Sequence, residues 1–510
     1  FKIVARGLAN DPAQRWPSLD SMLAALAHDP RRAWLRAASV VGLLAAATLG
    51  SYAATVARTP AAERCSAAAH EIAAVWSPNR RAAVARAFVA TATPFAADTW
   101  ERVDQRLTAY ASAWASQRAA ACEAHSAGLQ SSALLDLRAA CLERRKLHMR
   151  ALIDLLTTAD REVVTHAVQA VAALPGVQAC SDADQLLAAA APPDDPGTAA
   201  TVAALREQLA RGAALEATGG YAEGLELATR VRAEAEALGY PPLTAEAALA
   251  EGALLMAAAR PAEAAAALTA ALRLAIAHDL HPIAAEAAAR RLFVVGDGLG
   301  QHAAALATQP FAEALVERAR DDGRLAALLA NNLGTVFDLG GDRSSARVHY
   351  ERTIALLRRA ELSDPLLAVA HHNLASIDLE RGDLDAARHN STRAHALFVA
   401  LLGEQHPLVA HPLASLGDVA LRQGALAEAS ERYTRALALM QAAHGPDHPY
   451  LVHPLLGLGQ VAARQGDPAE AHRRFTRVVT LAGAGGLVHL QLAEALAALA
   501  ELAAAAGDPA

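Results

Sequence analysis

One spacing governs what this chain can fold into. Seven times, a turn residue is followed five positions later by a small one: Gly219 and Gly224, Arg260 and Ala265, Gly300 and Ala305, Gly341 and Ala346, Gly382 and Ala387, Gly424 and Ala429, Gly466 and Ala471. Successive small residues lie 41, 40, 41, 41, 42 and 42 positions apart. The flanks repeat as well. "LGTVFDLGGDRSSARVHYERTIALL" lines up with "LASIDLERGDLDAARHNSTRAHALF", with "LGDVALRQGALAEASERYTRALALM" and with "LGQVAARQGDPAEAHRRFTRVVTLA". A glycine in the left-handed region ends one helix. The small residue then lets the next helix pack closely against it. In three repeats an aromatic (Tyr350, Tyr433, Phe475) follows four positions later, one turn along the same face. A single pair of this kind cannot bury its apolar face. The units must stack into one continuous superhelical core.

Composition agrees. The chain has 510 residues, 4% aromatics and 54% apolar residues, many of them alanine. Alanine is the best helix former and little here favours strands, so the expected class is all-α. The length suits about three domains. Net charge is −7 and no basic run is dense enough for nucleic-acid binding to be the main task.

The repeats resemble tetratricopeptide repeats over residues 198–510, and the linkers "GEQHPLV" and "GPDHPYL" look like the longer, kinesin-light-chain type. The resemblance implies a concave groove, lined by the first helix of each pair, that takes a protein or peptide ligand. Self-association of the array stays open. Asn332 and Asn373 lie nine residues before turn glycines, where the family often presents an Asn to a peptide backbone; Ser415 and Gly457 hold that position in the next two repeats. Pro310 falls inside the third second-helix and makes that repeat irregular. "GDGLG" at 296–300 sits at a repeat turn with no Lys after it, which argues against a phosphate loop. His406, His411, His448 and His453 each precede a proline; repeat structure explains them better than a metal does.

Ahead of the array, helical patterns run over 62–77, 79–92, 95–126, 131–158 and 161–174, punctuated by Pro78, Pro94 and Pro175. This helical domain, residues 60–185, is expected to pack around Trp76, Phe88, Phe95, Trp100, Tyr110 and Trp114. All four cysteines fall inside it: Cys65, Cys122, Cys141 and Cys180. Four buried thiols or two disulfides are both open. Antiparallel helices would bring 65 near 122 and 141 near 180, though three pairings exist. Residues 37–57 hold no charge for 21 positions, enough to cross a bilayer. The expectation is a single-pass span in the inner or plasma membrane. Arg31, Arg32 and Arg36 put the N-terminal side in the cytoplasm and the C-terminal region in the periplasm or outside.

"RGLANDPAQRWPSLDSMLAAL" opens the chain. Leu8, Asp11, Pro12, Arg15, Trp16 and Ser18 resemble the pattern near the end of a protein kinase C-lobe, placed at residues 1–30. Asp11, Arg15 and Trp16 would be its structural residues. The whole order then resembles the C-terminal part of a bacterial, myxobacterial-type transmembrane serine/threonine protein kinase with tetratricopeptide repeats. That resemblance implies ATP and Mg2+ for a full-length enzyme. This chain holds no Gly-rich loop with a strand Lys, no HRD and no DFG segment, so no catalytic residue is assigned. The rival expectation is a non-catalytic, membrane-anchored repeat scaffold.

Overall fold

A computed structural model describes residues 1–27, 42–48, 67–187, 193–320, 323–360, 364–485 and 489–506, with residues 34, 39 and 65. Every regular element among them is helical. They fall into two compact units, Phe1–Ala67 and Ala68–Ala510.

In the first unit, Lys2–Gly7 and Leu19–Ala27 are α-helices joined through a short turn, Pro12–Gln14. Local chemistry accounts for the residues that suggested a kinase tail. The Asp11 carboxylate caps the turn by accepting from the Ala13 N–H at 2.9 Å. The Arg15 guanidinium donates to the Ala9 carbonyl at 2.7 Å, and the Trp16 indole N–H to the Ile3 carbonyl at 3.0 Å. The Arg6 guanidinium lies 4.5 Å from the centre of a Trp16 ring. A kinase fold carries its ATP-holding Lys on a strand. No strand exists among the described residues, and the kinase expectation is overturned.

The expected span over 37–57 is corrected too. No helix among the described residues is long and apolar enough to cross a membrane. Residues 42–48 are helical; residues 37, 38, 40, 41 and 49–57 lie outside the described residues. The stretch reads as apolar mainly through alanine, whose methyl group adds little hydrophobic surface. With the span goes the basis for membrane attachment and for a sidedness.

The second unit begins with helices Ala67–Val75, Pro78–Ala90, Ala96–Ser126, Ser132–Leu156 and Arg161–Ala172. Ser77, Ser131 and Asp160 cap three of them through side-chain oxygens. Phe88, Phe95 and Trp114 are buried, and Trp100 packs edge-on to Phe88 at 6.2 Å. A disulfide joins Cys141 to Cys180 across a Cα–Cα distance of 5.5 Å. Cys65 lies in the first unit, Cys122 in the second, and no cysteine is free among the described residues.

Seven helix pairs follow. They are Pro196–Thr218 with Tyr221–Leu238, Pro241–Ala257 with Pro261–Ala277, and His281–Phe293 with a broken partner, His302–Leu306 plus Gln309–Ala319. Then come Arg324–Leu339 with Arg343–Arg359, Pro365–Glu380 with Leu384–Leu402, Ala410–Arg422 with Leu426–His444, and Val452–Gln465 with Pro468–Gly485. The first helix of each pair is called A and the second B. Helix His489–Ala506 packs after the seventh pair.

Turn glycines 219, 300, 341, 382, 424 and 466 all have positive φ. In the second repeat Ala259, at φ 55°, takes that conformation. Five positions on, Ala264 is fully buried, so the register there is one residue earlier than the Arg260–Ala265 reading. Where Asp follows the turn glycine, it caps helix B: Asp342 accepts from Ser345 N–H, Asp383 from Ala386 and Asp467 from Glu470. The break in the third B helix falls just ahead of Pro310, which starts the second piece in the first turn, where a missing N–H costs nothing.

Candidate functional site

Hydrogen bonds run from one A helix to the next along the array, and the face that these helices share is called here the inner wall. The Asn332 amide donates to the Ala289 carbonyl of the preceding A helix at 3.0 Å. Arg464 donates to Leu421 at 2.6 Å, and Arg422 to Leu379. Each reaches back one repeat along the A helices.

That wall is not empty. The helix Arg161–Ala172 packs on the first A helix and meets the ends of widely separated repeat elements. Near its start Glu162 packs on the first repeat: a Cβ on Gly219 would stand 2.7 Å from the Glu162 carboxylate. At its end the Ala172 carbonyl accepts from Arg324, which opens the fourth A helix, at 3.3 Å. The Arg161 guanidinium donates to the Ala442 carbonyl of the sixth repeat at 2.9 Å. The Thr165 carbonyl accepts from His406, between the fifth and sixth repeats, at 2.9 Å. The apolar face, Val164, Ala167, Val168 and Val171, is buried and shares one core with Leu413 and Tyr433 of the array.

A second helix reinforces the contact. From Ala96–Ser126, Arg102 donates to the Ala400 carbonyl at 2.6 Å and Arg106 to Leu401 at 3.3 Å. Gln185 donates to Ala319 at 3.4 Å. Ala319, Ala400, Leu401 and Ala442 share a property: each sits in the last turn of a B helix, where carbonyls have no partner within the helix. The negative end of the helix dipole is there; at Ala400, Leu401 and Ala442 a guanidinium satisfies both needs, while at Ala319 the Gln185 amide supplies the hydrogen bond alone.

Histidine gathers at this contact. His406 is fully buried and its ring lies 5.5 Å from that of Phe95. Its Nδ1 accepts from the Leu408 N–H at 3.2 Å, capping the short turn Pro407–Val409, and its Nε2 faces Thr165. His448 caps Pro449–Leu451 in the same way through the Tyr450 N–H at 3.3 Å. The His444 and His448 rings stack at 4.7 Å, and Tyr450 stands 5.3 Å from His444. Further along the A helices, His372 and His411 lie 6.0 Å apart. Burial pushes both down to about 4, helped by mutual repulsion of neighbouring histidines. Burial also opposes charge on His453, but the attraction and hydrogen bond of Asp418 outweigh it and leave its pKa raised. Among the described residues no group of histidine, cysteine or carboxylate side chains is arranged to hold a metal.

The position nine before the turn glycine looks back toward the previous repeat. Asn332 is buried with its amide engaged at Ala289. Asn373 is half-buried and meets the Tyr350 hydroxyl of the repeat before it. Ser415 is buried, its hydroxyl donating to His411 at 3.3 Å. Gly457 lies beneath the Tyr433 ring, where a Cβ would overlap it. Sequence reading pointed to none of His406, Arg102 or Arg161 as partners. The His-Pro pair was the available signal for the first; the arginines carry none, because their acceptors are backbone carbonyls hundreds of positions away.

The tetratricopeptide repeat family matches over residues 366–442 and 416–484, the later repeats. No curated protein matches. Among solved structures, BtubC (BKLC) from P. vanneervenii is 21% identical, over 53% of this chain and 93% of that one, with a TM-score of 0.33. The apo form of RapI is 13% identical, over 59% and 87%, at 0.44. A Rap protein complexed with competence and sporulation factor is 13% identical, over 75% and 99%, at 0.43. Overlaps this loose carry no functional argument.

Proposed function

We propose that this chain is a protein-binding module without catalytic machinery, and that its inner A-helix wall receives a helical or extended segment of a partner. One observation supports the reading above others. The array already receives a helix, Arg161–Ala172, which packs on the first A helix through a small-residue apolar face and exchanges hydrogen bonds with the ends of other repeat elements. A surface that accommodates one helix by generic backbone capping and apolar packing can accommodate another of the same chemistry. The partner is therefore an amphipathic helix with small β-branched residues on one face and a cation near its N-terminus. Asn373, half-exposed, is the polar side chain that we assign to its backbone; the Asn332 amide is already committed to Ala289.

A labelled peptide spanning residues 158–175 serves as the probe. Fluorescence anisotropy should show weak binding to the wild-type chain. Binding should be at least about tenfold tighter to an Arg161→Glu/Val168→Asp variant, whose own helix is dislodged, because a binding-competent state that is rarely populated weakens apparent affinity by that fraction. Asn373→Ala on that background should weaken it again. If the variant keeps its helical circular dichroism and still ignores the peptide, the wall is not a binding surface.

A further inference from the structure

We propose that His406 is a proton-operated latch: protonation of its ring releases the Arg161–Ala172 helix from the inner wall of the repeats. The inference rests on reading that wall as the binding surface and adds what controls access to it.

The geometry of the ring carries the argument. Both nitrogens are spoken for. Nδ1 must be unprotonated to accept the Leu408 N–H, and Nε2 must carry the hydrogen that it donates to the Thr165 carbonyl. Only one neutral tautomer satisfies both. A second proton has nowhere to go but Nδ1, where it would face an N–H and abolish the cap. The ring is also fully buried, so a charge could not reach water unless the contact opened. His406 thereby ties three elements together: the helical region through Phe95 and Thr165, the loop between repeats five and six, and the sixth A helix.

The charged neighbours mostly act in the same direction. From Arg161–Ala172 comes His166, whose Nδ1 lies 2.9 Å from the Glu162 carbonyl; from the sixth B helix comes His444. Both repel a charge on His406, and Asp98, from Ala96–Ser126, is the carboxylate that favours one. Asp98 is also bonded to Arg102 at 3.2 Å, which spends part of its charge. Arg161 and Glu162 sit at the start of the same helix. His444 is itself held down by burial and by His448 and His166. Tyr450 stacks beside this pair. One neighbour works the other way: His411 adjoins His453, which Asp418 makes easier to protonate, so that stretch of wall tightens in acid.

The direction follows. Burial holds the latched His406 down at about 4, the Thr165 hydrogen bond offsetting only part of it. A released histidine titrates near about 6.5. The released form takes up the proton first, so the latch is intact above about 6.5 and weakens as pH falls toward about 4. At pH 5, His406 alone should shift the latch equilibrium about 30-fold toward release.

Hydrogen exchange on the full chain at pH 7.5 and pH 5.0, corrected for intrinsic rates, tests this. Protection of amides in 161–172 should fall about 30-fold at the lower pH, while the A helices of repeats four and five keep theirs. In His406→Asn, whose side chain can still cap the Leu408 N–H but cannot charge, the pH step should shrink to a fraction of that. Equal protection of 161–172 at both pH values overturns the latch. So does a loss shared equally by repeats four and five, which is general acid unfolding; that outcome is readable on the wild-type chain even if the variant does not fold. A chain that binds the 158–175 peptide yet shows no pH step would sink the latch alone and leave the groove.

Discussion

The fifth repeat differs from the fourth, sixth and seventh in one matched pair of residues. In those three, a glycine seven positions before the turn lies under an aromatic sixteen positions later: Gly334 under Tyr350, Gly417 under Tyr433, Gly459 under Phe475. A Cβ on Gly334 or Gly417 would stand 2.7 Å from its tyrosine ring, and one on Gly459 2.5 Å from its phenylalanine. In the fifth repeat the same two positions hold Ala375 and Ser391, both fully buried. There a methyl group on helix A meets a small side chain on helix B, so the two positions are matched to each other, as close-packed interiors require.

The Gly–aromatic pairing breaks hardest at Tyr433. This ring is fully buried, covers Gly417 and Gly457 together, and its hydroxyl donates to Asp418 at 2.6 Å. Tyr433→Ala should cost ~3–5 kcal/mol, read as a fall in the denaturant midpoint. A smaller loss would mean that repeats six and seven can collapse into the space.

The converse change tests the fifth repeat. Ser391→Tyr alone overpacks Ala375 and should cost ~1–3 kcal/mol. Adding Ala375→Gly recreates the pair found next door and should recover most of it, a coupling that a double-mutant cycle would measure. If the two changes simply add, the residues do not share one space.

The first repeat gives the mildest case. Gly212 occupies the same position, with Ala228 sixteen positions later in place of the aromatic, and a Cβ there would meet nothing within 4 Å. Gly212→Ala should therefore stabilise the chain by ~1 kcal/mol, the helix-interior penalty of glycine removed at no packing cost. A destabilised variant in thermal melts would place something unseen against that surface.

These pairs show what the sequence could and could not reveal. The turn glycines and the buried small residues after them repeat in register, so helix pairs and stacking were readable from spacing alone. The second repeat slipped by one position because Ala259, not a glycine, takes the left-handed turn. Asn332, expected to face a ligand, has its amide on the Ala289 carbonyl of the preceding repeat, a contact that spacing alone does not reveal. The kinase tail was suggested by Asp11, Arg15 and Trp16, a short pattern that local turn capping explains as well. An uncharged alanine stretch imitated a membrane span because alanine counts as apolar while burying little. The filling of the inner wall could not be read at all. Thr165 and His406 are 241 positions apart, and periodicity reports only on neighbours.

That separation also sets a clock. Within the array each helix touches the next, so contacts close short loops and form fast. The bonds that seat Arg161–Ala172 span up to 281 positions. Closing so large a loop is entropically dearer and waits until both ends of the array are in place. A newly made chain should thus pass through a stage in which the repeats are stacked but the inner wall is still vacant. During that interval, a partner helix at sufficient concentration competes with the chain's own on equal footing, and synthesis itself becomes an opportunity for assembly.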